Sequence, residues 1–456
     1  MVFKRCVALV AALATAAILT PAAVAAEGDI AEALKRIPGL TVVAEKPAPE
    51  GYRFFHLTFT QPADHHDPRA GTFEQRYTLL HKDFSAPTVA FSSGYNVNEK
   101  PVLSEPAQLV GGNQLSMEYR YFKPSRPAKE DFAKQLTIWQ AAVDEHRAVQ
   151  AFKEIYQGKW LATGASKGGM TATYYRRFFP DDVDGTIPYV APNDVVDSRD
   201  SYNRFLDRVG DDPRCRAALK AVQRAVLERR DEFLALAAKE VAEKNLTFTT
   251  VGTIDISLEL VVIESYWTFW QYEKQADCAT VPAAGSPAEV IYQWFDKVES
   301  LVIYADQVHE PFVPYYYQSA AQLGGPEAYD GHLRDLLRYP GKYVPSTFVP
   351  KSIEIPPFDH FAMADIDFWV RTRGSRLLFI YGANDPWGAE RFEPARRRDT
   401  ATFTVPGGNH TSRIAQLPPA EAAAATAMVR RWAGLPPVAG TRSSAPADFG
   451  AERPRL

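Results

Sequence analysis

A serine flanked by glycines is the part of this sequence best suited to chemistry. The run Gly164-Ala165-Ser166-Lys167-Gly168 has the pattern G-x-S-x-G, in which the serine occupies a sharp turn between a strand and a helix. The turn lifts the serine hydroxyl clear of the sheet, and larger side chains at positions 164 and 168 would collide there. The helix that follows brings free backbone N–H groups to the place where an oxyanion forms. The pattern therefore predicts a nucleophilic serine.

Two further side chains follow Ser166 in the order that such a nucleophile requires. A serine nucleophile needs a general base, and the base needs a carboxylate that orients it. Asp385 follows the apolar strand pattern at 377–381, and His410 follows the next strand pattern, at 401–405, on a Gly-Gly loop. Because the carboxyl ends of parallel strands meet at one edge of a sheet, we expect Ser166, His410 and Asp385 to form a catalytic triad.

An oxyanion in acyl transfer is stabilised by N–H donors, and the sequence offers candidates for two of them. We expect the first to be the backbone N–H of Lys167, directly after the serine. We expect the second to come from Gly94 or Tyr95, in the loop after the apolar strand pattern at 87–91. This geometry does not require the side chain of Lys167, and we assign that side chain no role.

Alternating strand and helix patterns surround these loops. A helix pattern at 131–156 carries Leu136, Trp139 and Val143 at the spacing of a core-facing stripe. Strand patterns occur before and after it, at 51–59, 72–80, 160–163 and 186–191. Serine, then aspartate, then histidine is the chain order of α/β-hydrolases. Between 193 and 358 strand patterns are sparse and helical, charged or aromatic segments dominate.

We therefore predict an α/β protein, an α/β-hydrolase fold with an inserted, mostly helical cap domain. The predicted division is a signal peptide at 1–26, the first part of the hydrolase domain at 27–192, the cap insertion at 193–365, the second part of the hydrolase domain at 366–434, and a flexible tail at 435–456.

The N-terminus has the features of a secretory signal. Lys4 and Arg5 precede an apolar run that ends in Ala23-Val24-Ala25-Ala26, an A-x-A cleavage site. Cleavage near Ala25 or Ala26 predicts an extracellular protein that has no membrane association afterwards. A membrane anchor is the alternative.

Two cysteines, Cys215 and Cys278, remain after this cleavage. An even number in an exported protein predicts a disulfide between them, and two free buried thiols are the alternative.

Charge and composition restrict the partners and cofactors. A net charge of -4 gives no sign of a nucleic-acid partner. The run Asp64-His65-His66-Asp67 is the rival candidate for a metal site, but adjacent residues on an extended segment point to opposite faces. We predict no metal and no organic cofactor, and we expect a monomer.

Seven stretches of the mature chain share features with one group of enzymes. They are Phe59–His65, Thr72–Tyr77, Met117–Tyr121, the serine turn, Tyr317–Ser319, Gly382–Trp387 and Gly408–His410. Together they resemble the clan of proline-directed serine exopeptidases, which includes lysosomal Pro-X carboxypeptidase, dipeptidyl peptidase II and secreted actinobacterial prolyl tri/tetrapeptidyl aminopeptidases. The resemblance spans about 51–432 and is best for the actinobacterial branch.

This resemblance implies a helical cap on the hydrolase domain and cleavage after proline near the N-terminus of a peptide. It supports the same three triad residues. The chain departs from the lysosomal members because Lys167 replaces the tyrosine usual after the serine. Ala320 and Gln322 also stand where those relatives have cysteine and glutamate, so the cap disulfides must differ.

Proline recognition sets requirements that the insertion can meet. The proline ring is apolar and has no N–H, so its subsite needs an aromatic wall. Candidates are Tyr266, Trp267, Trp270 and Tyr316, for which packing in the core of the cap is the alternative role. An aminopeptidase must also hold an ammonium group, for which Glu118 and Glu264 are candidates. Glu118 has the alternative of a structural pair with a cation such as Arg120.

The sequence thus predicts a secreted serine exopeptidase that releases tri- or tetrapeptides from peptide or protein N-termini through an acyl-enzyme. A secreted carboxylesterase or lipase is the alternative, since the serine turn does not separate the two reactions. A catalytically inactive binding module on the same fold is a third hypothesis. The natural substrate and the number of residues released stay open.

Overall fold

A single nine-stranded sheet forms the centre of the molecule. The computed structural model describes residues 28–195, 201–395 and 398–437. Its strands lie side by side in the order β1-β2-β3-β5-β4-β6-β7-β8-β9. They are β1 Leu40–Lys46, β2 Arg53–Pro62, β3 Thr72–His81, β4 Thr88–Ser92, β5 Asn113–Met117, β6 Trp160–Ala165, β7 Gly185–Tyr189, β8 Leu378–Gly382 and β9 Ala401–Val405.

The sheet changes direction at β5. Strands β1, β2 and β3 run antiparallel to one another, and β3 pairs antiparallel with β5. All pairings from β5 to β9 are parallel. The central strands β4, β6, β7 and β8 are buried along their whole length because helices cover both faces of the parallel part. The loops after β4, β6, β8 and β9 therefore open at one edge of the sheet.

Helices surround this sheet and fill the segment between β7 and β8. They are α1 Ile30–Lys35, α2 Glu105–Val110, α3 Phe132–Gln135, α4 Ile138–Lys153, α5 Lys167–Phe178, α6 Tyr202–Leu206, α7 Pro213–Glu228, α8 Arg230–Lys244, α9 Ile254–Tyr272, α10 Ala288–Val298, α11 Asp306–His309, α12 Val313–Gln318, α13 Ala362–Thr372 and α14 Pro419–Trp432. Among the described residues, no helix combines the length and the apolar character needed to cross a bilayer.

The segment between β7 and α13 contains the helices α6–α12, of which α7, α8 and α10 pack against α9. Fifteen consecutive residues of α9, Ser257–Gln271, are buried, which agrees with its strongly aromatic sequence. Cys215 of α7 and Cys278 form the disulfide that the sequence predicts, with their Cα atoms 5.4 Å apart. We propose that these helices form a separate cap domain. The predicted limit at residue 365 falls inside α13, which packs on α5, so a limit before α13 fits the packing better.

The helix predicted at 131–156 differs in detail. It is interrupted between α3 and α4, where the Thr137 side chain accepts a hydrogen bond from the N–H of Gln140 and starts a new helix. The buried face of α4 includes Ala142 and Val149, whereas Trp139 and Val143 are only partly buried. Of the three residues of the predicted stripe, Leu136 is buried as expected, and the prediction is wrong for Trp139 and Val143. The predicted signal peptide and residues 438–456 of the predicted tail lie outside the described residues.

Candidate active site

Ser166 occupies the turn between β6 and α5. Its backbone has φ 56° and ψ −128°, a conformation that costs energy for any residue with a Cβ atom. The N–H of Ser166 donates to the carbonyl of Tyr189 in β7 (2.9 Å), and its carbonyl accepts from the N–H of Met170 in α5 (3.0 Å). The strained turn is thus held by the neighbouring strand on one side and the following helix on the other.

The two glycines of the motif allow close packing around this turn. A Cβ atom on Gly164 would lie 2.3 Å from the carbonyl oxygen of Gly168. A Cβ atom on Gly168 would lie 2.3 Å from the carbonyl oxygen of Ser92, at the end of β4. Both distances are far below van der Waals contact, so the strand, the turn and the helix can meet only if these residues lack side chains.

The structure brings His410 and Asp385 together. His410 Nδ1 lies 2.8 Å from Asp385 Oδ2, and both side chains are buried. Asp385 Oδ1 accepts a second hydrogen bond from the backbone N–H of Trp387 (3.2 Å). With the carboxylate as acceptor, Nδ1 of His410 carries the proton, and Nε2 is left as the basic nitrogen.

His410 Nε2 is buried and makes no hydrogen bond to any of the residues that the structure describes, Ser166 included. The catalytic triad therefore stays a prediction: the structure pairs His410 with Asp385 but shows no hydrogen bond between Ser166 and His410. Catalytic hydrogen bonds are often loose in the absence of substrate.

The loop that carries His410 is anchored to the long helix α9. The N–H of His410 donates to the carbonyl of Gln271 (2.9 Å), and Asn409 Nδ2 donates to the carbonyl of Tyr272 (2.8 Å). On the other side, the carboxylate of Glu105 accepts the N–H groups of Ile414 and Ala415, each at 2.8 Å. The position of His410 thus depends on the same helix that carries Glu264 and Trp267.

The predicted oxyanion donors lie against each other. A Cβ atom on Gly94 would be 2.4 Å from the N of Gly168 and 2.8 Å from the carbonyl carbon of Lys167, so the loop after β4 touches the first turn of α5. The N–H of Tyr95 makes a long hydrogen bond to Ser93 Oγ (3.3 Å). Burial raises the pKa of the Tyr95 hydroxyl well above its ordinary value, and the neighbouring Tyr315 and Tyr272 raise it further.

An aromatic cavity lies beside His410. The Trp387 ring is 6.4 Å from the His410 ring and 4.9 Å from the Trp267 ring, measured between centroids. On the far side Tyr315 packs on Tyr95 (5.9 Å). The lining of the cavity is Glu264, Trp267, Tyr315, Tyr316, Ser319, Gly325, Pro326, Tyr343, Val344, Pro345, Phe348 and Trp387. The cavity is thus mainly apolar and contains one carboxyl group.

That carboxyl group, on Glu264, has an unusual environment. Burial raises its pKa well above the ordinary value, the neighbouring Glu299 raises it further, and the Tyr343 hydroxyl lowers it. The Tyr304 hydroxyl donates to Glu264 Oε2, and Thr268 Oγ1 donates to Glu299 Oε2 (2.7 Å). No ion pair to Glu264 occurs within the described part of the chain. A buried acid that forms no ion pair with the described residues favours the binding of a positively charged group, and Glu264 is such an acid.

The structure places three of the predicted substrate residues elsewhere. Tyr266 and Trp270 are completely buried in the core around α9 and do not line the cavity. The Tyr266 hydroxyl donates to the carbonyl of Leu206 (3.0 Å). Trp267 and Tyr316, by contrast, line the cavity. The helical period explains the split, because consecutive residues of α9 face different directions.

Glu118 is the third predicted substrate residue that the structure places away from the cavity. Its carboxylate accepts hydrogen bonds from Arg76 Nε (2.9 Å), the N–H of Val97 (2.9 Å) and Ser125 Oγ (2.8 Å). The structural role that the sequence left open is therefore the one observed, although the cation is Arg76. Arg120 pairs with Asp144 instead. Glu118 is thus buried and already paired with a cation, and it does not line the cavity.

The run at 64–67 also has structural roles. His65 Nε2 lies 2.7 Å from Asp144 Oδ1, and the His66 ring stacks on Trp139 with centroids 3.9 Å apart. Asp64 Oδ1 accepts the N–H of His66 (2.8 Å). The two imidazoles thus have different partners, and the four side chains do not converge on one point.

Trp387 is the residue of the site that the sequence could have revealed. It follows Asp385 by two positions in the same loop, and its ring lies beside His410 and lines the cavity. Glu299 and Tyr343 gave no signal, because they reach Glu264 only through the folding of the insertion.

The order of the sheet, the strained serine turn and the histidine–aspartate pair at its edge define an α/β-hydrolase. Residues 21–451 match the family described as PS-10 peptidase S37, and the chain belongs to this family. It is 51% identical over 419 residues to the prolyl tri/tetrapeptidyl aminopeptidase of Streptomyces mobaraensis. The aligned region covers 91% of this chain and 87% of that protein. The chain is therefore a serine-type peptidase, and the family predicted from the sequence is confirmed.

Solved structures with detectable similarity are more distant. A proline iminopeptidase from Mycobacterium smegmatis matches 82% of this chain and 98% of its own, with 13% identity and a TM-score of 0.39. A peroxisomal α/β-hydrolase from Saccharomyces cerevisiae matches 79% of this chain and 84% of its own, with 9% identity and a TM-score of 0.34.

Proposed function

We propose that this protein is a secreted prolyl aminopeptidase that releases tri- or tetrapeptides from the N-termini of peptides and proteins. The observation that carries the proposal is the aromatic cavity beside His410, whose wall includes a buried carboxyl group that has no ion pair among the described residues. The relative from Streptomyces mobaraensis is named for the same activity. Secretion is supported by the N-terminal signal pattern.

The proposed reaction uses Ser166, His410 and Asp385 as a triad. Ser166 Oγ attacks the carbonyl carbon of the scissile bond while His410 Nε2 takes its proton, and the carbonyl oxygen becomes an oxyanion. His410 then passes this proton to the leaving amine, which leaves an acyl-enzyme. In deacylation water takes the place of the amine. It attacks the acyl-enzyme while His410 Nε2 takes its proton, and His410 then returns this proton to Ser166 Oγ as the peptide acid leaves. Asp385 keeps the proton of His410 on Nδ1 and stabilises the imidazolium.

The cavity suits a short peptide with a free amino group. Trp387 and Trp267 form apolar surfaces next to the catalytic histidine, where a proline ring can pack without an unsatisfied polar group. We assign Glu264, on the cavity wall, to the substrate ammonium, with Glu299 behind it. A carboxylate at a fixed distance from the nucleophile limits the number of residues that fit between them, which gives an exopeptidase.

A comparison of three substrates tests this function. We expect rapid release of p-nitroaniline from Ala-Ala-Pro-p-nitroanilide, slow release from its N-acetyl derivative, and weak hydrolysis of p-nitrophenyl butyrate. The free amine is worth about 10–100-fold in kcat/KM if it makes one charge-assisted hydrogen bond. Equal rates for the free and acetylated peptides would contradict an aminopeptidase, and preference for the butyrate ester would indicate an esterase.

Substitution of Glu264 by glutamine should remove most of this preference. Glutamine keeps the size of the side chain but loses the charge, so kcat/KM for the free peptide should fall about 10–100-fold, mainly through KM. The rate for the acetylated peptide should change little. Glu259→Gln is the matched control, because Glu259 is a buried acid of the same helix that pairs with Arg230 away from the cavity. An unchanged ratio of free to acetylated peptide in Glu264→Gln would disprove the assignment.

The pH dependence of KM supplies a second measurement on the same variant. Burial and Glu299 raise the pKa of Glu264, so its carboxyl stays protonated in acid and becomes charged as the pH rises. KM for the free peptide should therefore fall with rising pH until the substrate amine loses its proton, near pH 8. Glu264→Gln should flatten this dependence.

A further inference from the structure

The side chain of Lys167, the residue after the nucleophile, extends away from the nucleophile into the protein interior. It is completely buried, and its Nζ donates a hydrogen bond to the carbonyl oxygen of Gly94 (2.8 Å). Nζ also lies 3.1 Å from the centroid of the Tyr119 ring and 5.4 Å from that of Phe122. A long cationic side chain in such a place is costly, which indicates a specific role for its amine.

The charge state of this amine does not decide whether it can act. Burial lowers the pKa of Lys167 well below its ordinary value, and Glu145 opposes the shift. Burial also raises the pKa of Glu145, to about 8. No carboxylate of the described residues forms an ion pair with Nζ. An amine has N–H donors in both protonation states, so the hydrogen bond to Gly94 persists over a wide pH range.

The hydrogen bond fixes a peptide group that the reaction needs. The carbonyl of Gly94 and the N–H of Tyr95 belong to one planar trans peptide, so they point in opposite directions. A donor that holds the carbonyl of Gly94 therefore sets the direction of the Tyr95 N–H. This N–H is one of the two candidates for the second oxyanion donor. That N–H makes only a long hydrogen bond, 3.3 Å, to Ser93 Oγ, so it remains available to a stronger acceptor such as an oxyanion.

We propose that Lys167 is a positioning residue that assembles the oxyanion hole from both sides. Its backbone N–H is the first donor, and its side chain orients the Gly94–Tyr95 peptide, whose N–H is the second. A hydrogen bond to the carbonyl also polarises the peptide, which makes its N–H a better donor. The inference rests on the proposed function only in requiring Ser166 as nucleophile, and it applies to peptide and ester substrates alike.

The test is substitution of Lys167 by methionine, which keeps the length and apolar contacts of the side chain but removes the donor. We expect kcat to fall about 10²-fold with KM changed less than about threefold, because the lost interaction acts on the transition state. The rate constant for phosphorylation of Ser166 by diisopropyl fluorophosphate should fall by a similar factor, since its phosphoryl oxygen occupies the same hole. Inhibition by the product Ala-Ala-Pro should be unchanged.

Two further variants separate positioning from folding. Lys167→Gln retains an N–H donor and should show a smaller loss with the same division between kcat and KM, and it carries the test if the methionine variant does not fold. Thr171→Val removes another buried hydrogen bond of the same helix, from Thr171 Oγ1 to the carbonyl of Lys167 (2.8 Å), and should leave kcat near the wild-type value.

The outcomes are distinct. Unchanged phosphorylation and kcat in Lys167→Met, or a loss confined to KM, would overturn the role of Lys167. Slower phosphorylation of Lys167→Met together with a wild type that does not cleave proline peptides would support this role and reject the proposed aminopeptidase activity.

Discussion

Replacement of Ser166 by alanine should lower turnover of Ala-Ala-Pro-p-nitroanilide by about 10⁶-fold. Without the hydroxyl no acyl-enzyme forms, and the oxyanion donors and the cavity can assist only direct attack by water. The affinity for the peptide should be retained, because the alanine leaves the cavity lined by Trp267 and Trp387 intact. The product Ala-Ala-Pro should therefore bind to Ser166→Ala and to the wild type with the same affinity, as measured by calorimetry.

A matched serine provides the control for this result. Ser265 is buried in α9 and its hydroxyl donates only to the carbonyl of Val262 in the same helix (2.9 Å), so Ser265→Ala should keep turnover within about threefold of the wild type. Mass spectrometry after treatment with a fluorophosphonate should locate the label on Ser166 and find none in Ser166→Ala. If Ser166→Ala, free of contaminating enzyme, kept about one per cent or more of the wild-type activity, Ser166 would not be the nucleophile.

Local signals explain why the sequence could indicate the candidate catalytic residues. The turn at Ser166 requires small residues at fixed offsets, and the loops of Asp385 and His410 directly follow apolar strands, so each position is determined by its neighbours in the chain. The strand at 401–405 and the helix at 419–432 have the predicted limits for the same reason. Strand β5 was missed because Asn113, Gln114 and Ser116 give it a polar pattern. These side chains are buried and satisfied by hydrogen bonds, for example from Asn113 Nδ2 to the carbonyl of Asp83.

The substrate site depends on contacts between distant segments, which the sequence does not encode locally. Glu118 and Glu264 are both buried acids, and only the fold shows that Arg76 reaches the first while Glu299 lies beside the second. The side chain of Lys167 is a similar case. It follows the motif directly, but its role depends on Gly94, 73 residues earlier in the chain.

Substitution of Asp385 by asparagine should lower kcat by about 10⁴-fold while the fold is retained. The hydrogen bonds of this side chain explain the size of the effect. Oδ1 of Asp385 accepts the N–H of Trp387, so the carbonyl oxygen of an asparagine would stay there and its NH₂ group would face His410 Nδ1. Nδ1 would then have to accept, the proton of His410 would move to Nε2, and no basic nitrogen would remain for Ser166.

The chain contains a second aspartate–histidine pair that serves as control. His146 Nδ1 lies 2.7 Å from Asp182 Oδ2, a contact like that of His410 with Asp385 but formed between α4 and the loop after α5. Asp182→Asn should therefore disturb a hydrogen bond of the same kind and leave kcat within about threefold of the wild type. Because the misplaced proton in Asp385→Asn leaves Ser166 without a base, activity should recover partly at high pH, where hydroxide can accept the Ser166 proton instead of Nε2. A kcat for Asp385→Asn similar to that of Asp182→Asn would show that Asp385 does not orient the catalytic histidine.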